Sequence, residues 1–548
     1  MNRMRFVVCA GTMAALGAGI FATGVVAADA PTAALPRQAA NRYIREADLR
    51  ADLAFLASDD LAGRSAGTEE DHIATDFVAA QFQRLGLQPV GDNGTYFQKM
   101  DLVYADIDRA NTTLSATVNG AQHQFAMNQD FRWSRQSDRP EKVCGEVAFA
   151  GYGVDAPEFD YSDFADADLT GKIGLVFNRE PQANDASSRF MGQWDTYHAF
   201  NWGKIEVLRK HGLAGLLMIQ GGPSKGTKPV PASSPRATGG PTIALAGEMW
   251  DLPIFTITRA VADQLLAPSG KTADQLQAAI DAGGKPDSFV VPNSSACMAK
   301  AFTNVSTHEG RNVVGLLPGT DPALRSQTII VSSHHDHMGV RNGHIYHGAD
   351  DNGSGTAAVM EIAQAFVRGG IHPKRSVLFI AYTAEERGLV GSYYYVTHPL
   401  RPLATTAANF NMDMIGRNEN EPNWPTPPDG NVNMVNVLGT RYNPELGRII
   451  ARANQGIGLK LDHKMDTVDP DSLWSRSDQY WFAGLHIPQV LFQTGLQPDY
   501  HTDRDIWQTI NYPKMTKIVR VVFLSVADLA GSGEKVAFYP AGAPRAGR

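Results

Sequence analysis

The chain has 548 residues, 43% of them apolar and 19% charged, and carries a net charge of −8. That is globular composition, and its length suggests roughly three or four domain-sized units. The acidic balance and the lack of any long basic run exclude nucleic acid as an expected partner.

Residues 1–28 read as a leader. Arg3 and Arg5 precede an apolar run from Phe6 to about Val26, and small residues follow in VVAADA. This is the order of a secretory signal peptide, with cleavage expected after Ala28 or Ala30. The mature protein is therefore expected to be exported, periplasmic or secreted. No later stretch is apolar enough to span a bilayer.

The mature chain opens, over residues 40–140, with two amphipathic segments. Leu49, Leu53 and Leu56 recur at helical spacing, as do Ile73, Phe77 and Ala80 beside Val78, Phe82 and Leu85, and Gly86 stops the second helix. The loop LASDDLAGRSAGT lies between them. From about Cys144 the texture changes to short β-rich runs (GEVAFAGYGV, GKIGLVFNR, AGLLMIQ, LPIFTITR) broken by Gly, Pro and Asp. We read residues 141–300 as a separate, mostly β unit. Its GGPSKGTKPVPASSPRATGGP is a loop. Gly222-Pro223-Ser224-Lys225-Gly226 fits the G-x-S-x-G pattern, but no helix-forming run follows, as a serine nucleophile would require.

Over residues 301–533 apolar strands alternate with helices: QTIIVSS, GTAAVMEIAQAFVRGG, SVLFIAYT, LVGSYYYVTH, AANFNMDMIG and IPQVLFQT. Such alternation predicts an α/β three-layer sandwich with a mostly parallel mixed sheet. Residues 534–548, rich in Ala, Gly, Pro and Arg, read as a flexible tail.

The informative polar residues follow the strand ends. His334 closes QTIIVSS, Glu385 and Glu386 follow SVLFIAYTA, and Asp413 follows AANFNM. Open α/β sheets bind ligands outside the carboxyl ends of their strands. His334, the Asp350/Asp351 loop, Glu385, Glu386 and Asp413 should therefore gather along one edge, and His501 in PDYHTDRD can reach it. A mixture of His and carboxylate without thiolate suits zinc. Three carboxylate ligands and two neutral imidazoles around two divalent cations leave one positive charge, enough to hold a hydroxide. A further carboxylate must then accept and return protons.

The ordered set SSHHDHMG, GADDNGSG, TAEERGLVGS, NMDMIG and DYHTDRD resembles the motifs of the co-catalytic di-zinc aminopeptidases. That family includes glutamate carboxypeptidase and, as relatives, glutaminyl cyclase and transferrin receptor. The resemblance extends to LASDDLAGRSAGT…GDNGTYFQ, and the β unit resembles an inserted protease-associated domain. It implies an exported zinc exopeptidase with two zinc ions per chain acting on peptides, most simply an aminopeptidase. A carboxypeptidase or dipeptidase, a receptor-like protein without activity and a glutaminyl cyclase-like enzyme are the alternatives.

The resemblance implies roles as well. His334, Asp351 and Asp413 would hold one zinc, and Asp351, Glu386 and His501 the other, with Asp351 bridging. Asp336 would orient His334. Glu385 would be the general base acting on a zinc-bridged hydroxide, and Tyr500 would stabilise the oxyanion. A cis peptide would follow Asp351. Gln479 stands where the family commonly has histidine in S-D-H, and His347 where relatives have Asn before GADDN. His335 is expected to pack and His337 to lie behind the ligands or pack. His344 and His347 are expected at the rim, and Asp350 is expected to hold the loop. Cys144 and Cys297, the two cysteines left after cleavage, could be free thiols. They bracket the insertion, whose ends should lie close together, so we expect a disulfide at its neck.

Overall fold

The computed structural model describes residues 37–542 except 134–140, 165–167, 184, 221–241, 248–251, 284–287, 420–429 and 470. The leader, the Gly222–Gly226 segment and the last six residues lie outside the described residues.

The larger of two main sheets is centred on four parallel strands, in the order Ser376–Tyr382, Thr328–His334, Thr406–Met412, Gln489–Gln493. Nearly every side chain in them is buried, because helices cover both faces. Alternation decides which layer each residue serves. Ile329, Val331, Val377 and Phe379 pack beneath helices Glu46–Leu56, Glu69–Arg84, Gly355–Arg368 and Tyr512–Gly531. Ile330, Leu378 and Ile380 point the other way, toward Tyr395 on helix Val390–Thr397 and Phe482 on the short helix Tyr480–Gly484. The result is three layers.

The sheet is mixed, parallel at its centre and again where Met434–Leu438 pairs with Lys460–Asp462 but antiparallel elsewhere, which corrects the expectation of a mostly parallel one. Phe302–Leu317 runs antiparallel to both Ser376–Tyr382 and Phe97–Ile107, and Met434–Leu438 runs antiparallel to Gln489–Gln493. The first of these follows from connectivity. The chain leaves for the second sheet along Phe97–Ile107 and returns along its neighbour, so the two must oppose.

The second sheet has the order Ala121–Phe125, Thr113–Val118, Phe289–Lys300, Glu141–Phe149, Ile173–Phe177, Gly215–Ile219, Ile254–Ile257, Phe131–Trp133, with its own apolar core. It therefore begins at Thr113 and not at residue 141. Ala121–Phe125 is an exposed edge strand with a weak apolar pattern, which hid it in the sequence. The stretch 141–300 is not wholly separate either, because Thr242–Leu245 pairs with Phe97–Ile107 in the larger sheet. Cys144 and Cys297 are register partners on adjacent antiparallel strands and are disulfide-bonded.

The start of the expected flexible tail is docked. Phe538 stacks on Tyr442 at 4.8 Å and on His486 at 5.5 Å, and Glu534 pairs with Arg452 at 3.1 Å. Two apolar residues in a polar stretch, Val536 and Phe538, are enough to anchor it. Among the described residues no helix is long and apolar enough to cross a membrane.

Candidate metal centre

The carboxyl ends of the parallel strands bring the expected residues together. His334 ends its strand, and its Nδ1 meets the backbone carbonyl of Asp336 at 3.1 Å, with the Asp336 carboxylate 3.6 Å away. This orients Nε2 toward the cleft, as an outer partner of a metal-binding histidine does. Asp336 also accepts the backbone N–H of Glu385 at 3.0 Å, so one carboxylate positions both the histidine and the Glu385 turn.

Asp351 lies in the loop that enters helix Gly355–Arg368, and the Asp351–Asn352 peptide is cis. The Asn352 side chain ties this loop to the next strand end, donating to the Met412 carbonyl at 2.9 Å and accepting from Met414 N–H at 3.3 Å. Asp350 holds the loop: its carboxylate accepts Gly416 N–H at 2.6 Å.

Two sets of donor atoms converge on Asp351. Nε2 of His334 lies 3.4 Å from Asp351 Oδ1, 3.5 Å from Asp413 Oδ1 and 3.6 Å from Glu385 Oε2. Nε2 of His501 lies 2.9 Å from Asp351 Oδ2 and 3.1 Å from Glu386 Oε1. Each oxygen of Asp351 thus serves a different set. Tetrahedral ligands about 2.0–2.1 Å from a zinc ion stand roughly 3.3–3.4 Å apart, which matches the His334 set; the His501 set is more tightly drawn. His334 Nε2, Asp413 Oδ1 and Glu386 Oε1 are buried with no hydrogen-bond partner. Buried polar atoms are rarely left so, and a cation would satisfy all three. Among the described residues two groups of side chains are accordingly able to hold a metal ion: His334, Glu385 and Asp413, and His337, Asp351, Glu386 and His501.

The electrostatics agree. Burial works to lower the His501 imidazole, but Glu386 and Asp351 outweigh it and raise it to about 9. Burial pushes the Glu385 carboxyl well above its ordinary range; His334 opposes this, and Asp413 and Glu386 add to it. Such crowding of negative charge is what divalent cations neutralise.

The remaining histidines of SSHHDHMGVRNGHIYHGADDNGSG each face a carboxylate. His335 lies 3.0 Å from Asp71, His344 3.0 Å from Asp503, and His347 2.8 Å from Asp59. Three further residues escaped the sequence reading. Asp505 accepts the backbone N–H groups of Asp350 and Asp351 at 3.0–3.1 Å. Arg64, almost fully buried, donates to the carbonyls of Leu56, His335, His347 and Gly348. Its only sequence signal is a cation among the small residues of LAGRSAGT. Arg476 donates to the Tyr500 hydroxyl at 2.7 Å, and the Tyr500 ring stacks on His501 at 3.8 Å. Tyr500 and Arg476 line the cleft over the centre with Met414, Leu473, Gln493 and Leu496. Gln479, at the position where the family commonly has histidine, is buried below it, accepting from Asn411 at 3.1 Å.

The sequence pattern of Peptidase family M28 matches residues 312–526, the span that carries every one of these cation-facing side chains. Over that span the chain resembles Peptidase family M28. Leupeptin-inactivating enzyme 1 of Streptomyces exfoliatus is 41% identical over 118 residues, 21% of this chain and 25% of that protein. Aminopeptidase YwaD of Bacillus subtilis is 35% identical over 118 residues, 21% of this chain and 24% of that protein. The matches thus span about a quarter of the length of these two relatives. In three dimensions the chain overlays on an aminopeptidase from Aneurinibacillus sp. strain AM-1. That match has 19% identity and a TM-score of 0.48, over 92% of this chain and 98% of the other. The matched span begins at Asn312, inside the long antiparallel strand Phe302–Leu317, and the buried Arg64 reaches the Asp351 loop from outside that span.

Proposed function

We propose that this protein is an exported aminopeptidase that uses two zinc ions held in the M28-like span. One observation carries the reading: Asp351 turns one carboxylate oxygen to His334 and the other to His501, the disposition of a ligand shared by two cations. When bound, the cations supply Lewis acidity and a nucleophilic water at neutral pH. The chain's own residues do the rest. Glu385, beside His334 but held by the Asp336 contact at its backbone, takes the proton of that water and passes it to the leaving amine. Tyr500, its hydroxyl accepting from Arg476, stands in the same cleft to stabilise the developing oxyanion.

Amino-terminal specificity is supported by the names of relatives, among them aminopeptidase YwaD and leucine aminopeptidase 2 of Trichophyton equinum. We read the second sheet as a protease-associated insertion that shapes access. Tyr197 and Phe200 from it pack on Tyr480 and Trp474, beside the cleft residues Leu473 and Arg476. The leader-like residues 1–28 and the disulfide support an oxidising, extracytoplasmic location.

The test is a panel of peptides with free and blocked amino termini, assayed with and without a chelator. Hydrolysis of only the free-amine peptides, abolished by the chelator, is expected; cleavage of amino-blocked peptides from the carboxyl end would replace the aminopeptidase reading with a carboxypeptidase one. Glu385→Gln should keep both metals and lose turnover by about 10²–10⁴-fold. Asp351→Ala should lose both metals, measured by metal analysis of the purified variant.

A further inference from the structure

We infer that His337 is a fourth ligand of the cation held by Asp351, Glu386 and His501, so that the two halves of the centre are unequal. The inference rests on the two-metal reading above and adds a ligand to the set of three that the sequence resemblance implies there.

His337 is fully buried; its Nε2 has no hydrogen-bond partner and its Nδ1 faces carboxylate oxygens. Its Nδ1 lies 2.8 Å from Glu386 Oε1 and 3.8 Å from Asp351 Oδ2. His501 addresses the same two oxygens, at 3.1 and 2.9 Å. The two imidazoles thus flank one pair of carboxylate oxygens, their ring centres 5.6 Å apart. The ring of His337 is also fixed in place. Its backbone N–H bonds the Arg64 carbonyl at 3.0 Å. Gly348 packs so closely that a Cβ there would fall 2.4 Å from His337 Cγ. A buried imidazole held this firmly with one nitrogen turned to two carboxylates, which a second imidazole also faces, is built for a cation.

The consequence is an asymmetry. Asp351, Glu386, His501 and His337 make a closed shell of four protein donors, as in structural zinc sites, whereas His334, Asp351 and Asp413 leave a position open, as in catalytic ones. The cation on the His334 side should therefore be the more readily exchanged.

X-ray absorption at the zinc edge of the full-length protein, loaded to two zinc ions per chain, counts the imidazoles directly. Three per zinc pair are expected (His334, His337 and His501), falling to two in His337→Gln. That variant should also bind its tighter zinc at least about 10–100-fold more weakly, measured by competition with a chromophoric chelator. An outer partner of a ligand can cost as much, so the imidazole count is the deciding readout. A count of two in the wild-type protein with both zincs bound overturns the assignment of His337 and leaves the two-metal reading standing, as does an unchanged count between wild type and variant. Failure of the wild-type protein to bind two zinc ions overturns both. Because the wild-type count decides alone, the result stands even if the variant does not fold.

Discussion

At the scale of single residues, Arg64 shows how much of the centre depends on a side chain that touches no cation-facing group. Its guanidinium collects carbonyls from Leu56, His335, His347 and Gly348, and so clamps the histidine-rich stretch to the end of helix Glu46–Leu56. Burial lowers its pKa to about 10, and Asp336, Asp505, Asp71 and Asp351 work against that, keeping it a cation. Arg64→Met should orphan those buried acceptors at about 1–3 kcal/mol each and lower the urea midpoint markedly. Arg64→Lys should fail to restore it, because a single ammonium cannot span acceptors on separate segments. A wild-type midpoint in either variant would sink this account. The same contrast explains what was legible here. His334, Glu385, Glu386 and Asp413 stand at or just after strand ends, with Asp351 and His501 in loops beside them, and could be read as one edge. Arg64, Asp71 and Asp505 could not, since their partners lie as far as 284 residues away in sequence.

At the scale of elements, helix Gly355–Arg368 carries the Asp351 loop at its start and a second acidic group along its length. Glu361 lies between this helix and Glu46–Leu56, accepting from the Arg45 backbone and from Gln364. Burial raises its carboxyl to about 8; Asp48 and Asp52 add to this, and the Arg45 backbone and charge oppose it. Burial raises Asp52 to about 7, with Asp48 adding and Arg84 opposing. Both folded pKa values lie above those of the unfolded chain, 4.5 and 3.8. The folded state therefore holds protons that the unfolded chain has already released. The stabilisation is complete below about pH 4 and is lost as pH rises toward 7–8. Thermal melts should show the wild type losing stability between pH 5 and pH 8, and Glu361→Gln losing less. Equal slopes for the two proteins would refute the coupling. The helix itself was plain in the sequence from its apolar spacing. That its polar residues face another helix was not, because a buried carboxyl on an amphipathic helix looks like a solvated one until its neighbour is placed.

At the scale of the whole molecule, the second sheet is fastened to the first in three ways. It is joined by the antiparallel pair Phe97–Ile107 and Phe302–Leu317, by Thr242–Leu245 lent to the larger sheet, and by aromatic packing of Tyr197 and Phe200 on Tyr480 and Trp474. The Cys144–Cys297 bond closes the excursion, spanning 153 residues. A loop of that length restricts the unfolded chain strongly, so Cys144→Ser with Cys297→Ser should cost about 2–4 kcal/mol. Denaturant unfolding of the two proteins under oxidising conditions measures it, and coincident curves would show the bond to be dispensable. By itself the sequence determined the alternating strands and helices, the strand ends where charge collects and the chemical class of that cluster, because each is written in local periodicity and residue type. Only the tertiary structure decided the antiparallel pairs beside the parallel centre, the start of the second sheet at Thr113 and the docking of the stretch around Phe538. It also decided which histidines face the shared carboxylates and which are tied to Asp59, Asp71 and Asp503. Those outcomes depend on contacts between segments far apart in the chain, and nothing local in either partner announces the other.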